Sequence, residues 1–160
     1  MTMTKSVSPV ALACALLIPC LTPYGASAQP NASPEEVRDR CVQFLSDRAT
    51  QVVEKNSAFL EKQAQKIDEA RDQDKERRVR RIIRSSIRKM KAKTKRVPRK
   101  LRRAARNCRR LIRRISDDPA LAEALITDVN FNLGNAVEAI TTSGQDTIQT
   151  FKDKRDDGSE

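Results

Sequence analysis

The sequence predicts an all-α protein: an elongated, coiled-coil-like antiparallel three-helix bundle, made of a helical hairpin plus a third helix and closed by one intrachain disulfide. Three observations lead there. Apolar residues recur at steps of three and four through three long segments, as one face of a helix requires, and no period-two alternation is sustained anywhere. Aromatic residues are scarce, with four Phe, one Tyr and no Trp, so the interior has to be built from Leu, Ile, Val and Ala, which suits long packed helices. Two cysteines beyond the N-terminal segment fall on two of the apolar stripes, equidistant from a polar break between them.

The first element is not part of the fold. Met1–Lys5 carries one positive charge, residues 7–21 are mostly apolar around "ALACALLIPCL", and Ala26-Ser27-Ala28 gives the small-x-small pattern of a signal peptidase site. This is the anatomy of a secretory signal peptide, with cleavage expected after Ala28 and an extracytoplasmic destination, periplasmic or secreted. The apolar run is shorter than the ~20 residues a spanning helix needs, and Pro9, Pro19 and Pro23 interrupt it. Cys20 follows Pro19, not the small residue a lipid anchor needs, and the apolar run before Cys14 is very short. Residues 29–33 read as a leader, 34–152 as one helical domain and 153–160 as a polar, disordered tail. Asn31-Ala32-Ser33 matches a glycosylation sequon, which the following Pro34 disfavours.

The first helix is expected over about 34–72. Ser33 is placed to cap it, Pro34 fits its first position, and Glu36 completes a capping box. Its stripe runs Cys41, Leu45, Ala49, Val52, Leu60, Gln63/Ala64 and Ile67, widened by Phe44, Val53 and Phe59 and interrupted by Asn56. The pattern fades in "DEARDQDKERR", whose single apolar residue is Ala70. The second helix, about 75–115, carries the most regular stripe: Val79, Ile83, Ile87, Met90, Thr94, Val97, Leu101, Ala105, Cys108, Ile112 and Ile115. The phase passes straight through Pro98, which predicts one helix kinked there at a cost of ~3 kcal/mol; a new helix starting at Pro98 is the alternative. Ser85 and Ser86 read as surface residues. Asp118 and Pro119 then cap and start a third helix, about 118–151, with Ala122, Ile126, Val129, Leu133, Val137, Ile140, Gly144, Ile148 and Phe151 on one face. Gly134 and Gly144 each weaken it by ~1 kcal/mol relative to Ala.

After cleavage, Cys41 and Cys108 are the remaining cysteines. If the chain folds back in the polar break at 68–78, arms of equal length bring the two side by side near the open end of the hairpin. An exported protein with an even cysteine count commonly forms disulfides. Closing a loop of about 68 residues stabilises the fold by ~4 kcal/mol in the chain-entropy model. Two free buried thiols, or a bridge between two chains, are the alternatives. The spacing is not that of a redox C-x-x-C pair, and two sulfurs with no histidine make a poor metal site. An acidic heptad row, Asp47, Glu54, Glu61 and Asp68, matches a basic one, Arg88, Lys95, Arg102 and Arg109. The acidic row lies nearly opposite the apolar stripe of its helix and is expected to face solvent or another chain, not the second helix, so the match implies no pairing.

Charge is distributed very unevenly. The chain carries a net +11. Residues 75–114 hold 21 basic groups and a single acid, Glu76, whereas residues 31–74 carry a net −3 and 115–160 a net −7. That excess is far beyond what solubility needs and points to a polyanion-binding surface. The candidate contacts are Arg77, Arg78, Arg80, Arg81, Arg84, Arg88, Lys89, Lys91, Lys93, Lys95, Arg96, Arg99, Lys100, Arg102, Arg103, Arg106, Arg109, Arg110, Arg113 and Arg114. Arginine dominates, which favours forked contacts to phosphate, sulfate or carboxylate groups. The segment has no aromatic residue, so base stacking is missing and any nucleic-acid binding is backbone-directed. Anionic envelope polymers, acidic polysaccharides and anionic lipid headgroups are equally fitting partners.

Two other readings of the same features stand beside this one. In the first, the basic run is only a solvated face, partly neutralised by the flanking helices. The protein is then a structural or interaction protein, a homo-oligomer assembling through long amphipathic helices with Asn56 and Thr94 setting register. In the second, the basic amphipathic segment Val79–Ile115 acts on membrane surfaces. An enzyme is not expected: there is no histidine, Gly-rich phosphate loop, G-x-S-x-G or metal-ligand cluster. Neither a cofactor nor a small-molecule substrate follows from the sequence.

Overall fold

The structure, a computed structural model, describes residues 32–156. The proposed signal peptide, its cleavage site and the sequon residue Asn31 lie outside the described residues. Three helices follow one another: α1 (Pro34–Arg71), α2 (Glu76–Ile115) and α3 (Pro119–Asp156), each packed against both others, with no strand among the described residues. Cys41 is bonded to Cys108, so α1 and α2 run antiparallel; Asn56 meets Ser143 and Asp68 meets Lys154, so α1 and α3 run parallel. The arrangement is the expected up-down-up bundle with its disulfide in place.

Local chemistry marks the starts of α1 and α3 and the turn between α1 and α2 where the sequence suggests. Ser33 Oγ accepts the N–H of Glu36 at 3.2 Å, while the Glu36 carboxylate turns to Arg40 at 3.9 Å rather than back to complete a capping box. Asp118 Oδ1 accepts the N–H of Ala120 at 2.8 Å, one residue after Pro119 at the first helical position. Between α1 and α2 the chain turns through Asp74, the one described non-glycine residue with positive φ, at 52°. The N–H of Asp74 bonds to Arg71 O and that of Lys75 to Ala70 O, the paired bonds of a Schellman-type stop in which glycine is usual at the left-handed position.

α2 is continuous through Pro98, which is itself buried, so no new helix starts there. Proline removes the bond its N–H would make to the carbonyl of Thr94. Next to that gap α2 and α3 come very close. A Cβ added to Gly144 would lie 2.4 Å from Thr94 Oγ1, and that hydroxyl already donates to Met90 O at 2.9 Å. Gly144 therefore has a packing reason to be glycine. Gly134, where an added Cβ would meet nothing within 4 Å, has none.

The interior divides into two apolar clusters. The larger surrounds the disulfide, with Leu45, Val52, Leu101, Ala105, Ile112, Ile126, Val129 and Ile140 among its buried residues. The smaller lies toward the α1–α2 turn and joins Ile67, Ala70, Val79, Ile83 and Phe151, with the Phe59 ring meeting Phe151 edge-on at 6.1 Å. Between them sits a polar layer. Asn56 is fully buried and donates from Nδ2 to Ser143 Oγ at 3.0 Å, and Thr147 is buried one turn further along α3 with its hydroxyl on Ser143 O. Asn56 is thus a buried member of the stripe rather than a gap in it.

Three expectations need correction. Ser86 is 1% exposed, not a surface residue, because it falls between Ile83 and Met90 on the inner face; Ser85 does face outward. In α3 Ala136 and Thr147 are buried while Val137 and Ile148 are only half-buried, so the inner face is turned from the one expected at these two positions. α3 runs on to Asp156, so residues 153–156 are helix and not tail. Three contacts hold its last turns: Phe151 is fully buried, Arg71 Nη2 donates to Lys154 O, and Lys154 Nζ lies 3.3 Å from Asp68.

Two measurements follow. Gly134→Ala is expected to raise stability by ~1 kcal/mol, whereas Gly144→Ala should lower it by about 1–3 kcal/mol through overpacking; urea unfolding of the oxidised protein reads both. Reduction, or the Cys41→Ser/Cys108→Ser pair, should lower stability by about 4 kcal/mol, seen as a matching fall in the denaturant midpoint.

Candidate polyanion interface

The apolar stripe of α2 is turned inward, and the rest of its circumference is basic. Of the twenty candidate residues eighteen are exposed; Lys93 and Arg109 are half-buried. They do not converge on one pocket. They coat the outer face of α2 from end to end, a length of about 60 Å at ~1.5 Å per residue. Arg77, Arg80, Arg81, Arg84, Arg88 and Lys89 line a shallow groove of about 540 Å³ near the start of the helix, with the Ser85 side chain among them and no acid.

The ion pairs show how little of this charge is answered. Among the described residues, carboxylates within 4.0 Å reach two of the twenty: Arg80, beside Glu76 of its own helix, and Arg113, beside Glu123 of α3. Apart from Glu123, the paired acids of α1 and α3 meet bases of α1 and α3. Asp39 and Asp128 both hold Arg38, Glu36 faces Arg40, Asp68 holds Lys154 and Asp156 holds Arg155. Asp47, Glu54 and Glu61 are exposed, and Asp68 of the same heptad row points to α3, so that row does not face α2. Arg109 is held by a neutral partner, donating to Asn130 Oδ1 at 3.0 Å.

Two cations that sequence reasoning passed over adjoin this surface. Lys93 is held below its ordinary pKa, first by burial and then by the charges of Lys55 and Arg48 on α1. Their heptad spacing on α1 was visible in the sequence. Which flank of α1 faces α2 was not.

Among the described residues no group of three or more Cys, Asp or Glu side chains is placed to hold a metal ion, and no helix is long and apolar enough to cross a membrane. Compared with known proteins, the chain matches no family model, no curated protein and no solved structure.

A surface of unanswered like charge destabilises the fold that carries it, and salt relieves it. Raising ionic strength from about 0.01 M to 0.15 M shortens the screening length from ~30 Å to ~8 Å. The thermal midpoint of the oxidised protein should therefore rise over that range. A fall would mean that attractive ion pairs dominate.

Proposed function

We propose that this is an exported, non-enzymatic protein that binds polyanions along α2. The observation that carries the reading is the unanswered charge: eighteen exposed bases on one helix, with carboxylates of the described residues reaching only two of the twenty candidates. The signal-peptide pattern supports an extracytoplasmic site of action, and the Cys41–Cys108 bond fits an oxidising compartment. Arginine forks suit phosphate, sulfate and carboxylate groups on a polymer.

The other readings have less to rest on. Assembly through amphipathic helices needs a free apolar face, and the apolar stripes of α1, α2 and α3 are already turned toward one another. Phe131, 68% exposed on α3, is the large apolar side chain left outside. A membrane-active α2 would have to expose a buried stripe, and the disulfide opposes that opening.

The mature protein should be retained on heparin and on phosphocellulose and elute later in salt than a lysozyme-like protein of similar net charge. Binding should weaken steeply as salt increases, as counterion release requires. Elution no later than the reference protein overturns the proposal.

A further inference from the structure

The candidate contacts read from the sequence all lie on α2, but α2 has two unlike edges. Toward α3 it meets one acid and one neutral acceptor: Arg113 pairs with Glu123 and Arg109 donates to Asn130 Oδ1. Toward α1 it meets more cations. The Cys41–Cys108 bond fixes the antiparallel register, which sets Lys55 beside residue 94 and Arg48 beside residue 101. Lys93 adjoins both Lys55 and Arg48 of α1, and Lys100, seven residues further along α2, shares its face by the helical period. Lys93 and Arg48 are half-buried, and Arg48 donates to the neutral Gln51 Oε1 at 3.2 Å. Among the described residues no carboxylate lies within salt-bridge distance of any of the four.

We propose that the α1–α2 edge is where the polymer sits: Arg48 and Lys55 of α1, with Lys93 and Lys100 of α2, form a two-sided cationic track for a single extended chain of phosphate groups. This rests on the polyanion reading above and narrows it to one ligand class. Along each helix the two cations are about 10 Å apart, seven residues at ~1.5 Å. Packed helices lie ~8–10 Å apart, so the furrow between them admits one narrow strand, while a rigid duplex rests only on the outer crest of α2. Bringing these cations together costs the free protein stability, and a bound chain of anions relieves the repulsion. Affinity and free-state stability are therefore opposed at these positions, which distinguishes a binding role from a structural one.

The test uses the full mature chain with its disulfide intact. Arg48→Gln/Lys55→Gln is compared with the charge-matched Arg40→Gln/Arg155→Gln. The probes are long-chain inorganic polyphosphate, a single-stranded DNA homopolymer and a DNA duplex, each titrated over a salt series. The first variant should lose about one unit of salt slope per lost contact on the two single chains, while its thermal midpoint without ligand rises at low salt. The second should keep the wild-type slope, and Lys55→Arg should bind as wild type does. Binding of only one of the two single chains identifies the source of the phosphates and supports the track. Equal losses in both double variants, a lowered midpoint for the first, or tighter binding of the duplex overturns the track and leaves the broader reading standing. No binding of any probe by the wild type overturns both.

Discussion

Like-charge repulsion along α2 is the constraint to which the rest of the bundle answers. Twenty bases share a forty-residue helix with one acid. Neighbours at i,i+4 with the same charge each destabilise an isolated helix by a few tenths of a kcal/mol, so α2 has no prospect of standing alone. It is held by the regular stripe that Val79, Ile83, Met90, Leu101, Ala105 and Ile112 bury. The disulfide adds a covalent tie on the same inner face, seven residues from the start of α1 and seven from the end of α2. Arginine and lysine stems radiate outward from this inner line, and the charge ends up where solvent or a partner can reach it.

The interior is arranged so that α2 is held at both ends and closely fitted in between. Near the disulfide, medium-sized aliphatic residues fill the space between three helices. Near the α1–α2 turn, Phe151 does so with Phe59 against it. The zone between is polar and tight: Asn56 on Ser143, and Gly144 against Thr94. Burying a single amide with one hydrogen bond gains little stability, and Asn56 Oδ1 meets no donor among the described residues. In the observed register its Nδ2 donor meets Ser143 Oγ, which leaves that half of the amide satisfied. Proline in α2 fits the same zone. The backbone bond it removes involves Thr94, whose side chain lies at the closest approach to α3.

Much of this could be read from residues in order. Ser33, Asp118 and the stripe of α2 mark helix boundaries and an inner face through short-range chemistry, and the structure keeps them. Most of what went unread depended on neighbours distant in sequence. Ser86 is the exception, because Ile83 and Met90, three and four positions away on the same helix, already place it on the inner face. Ala136 and Thr147 are deeper than the larger Val137 and Ile148, since the space left by α1 and α2 sets the depth at each position of α3. The last turns of α3 look like a frayed tail, yet Arg71 and Asp68, more than eighty residues earlier, hold them.

Read in one dimension, the chain already specifies its helices, the inward face of α2, the partner of Cys108 and the sign and size of the charge on α2. These follow from a 3.6-residue period, equal arm lengths about a turn, and a count of ionisable groups. How that charge is distributed in space emerges once the helices pack. Apart from Glu123, the paired acids of α1 and α3 engage bases of those same helices, and α1 turns toward α2 a flank carrying Arg48 and Lys55. Pairing of charges depends on which flanks of the helices adjoin, and that is fixed by how the buried stripes interlock, not by the order of charges along the chain.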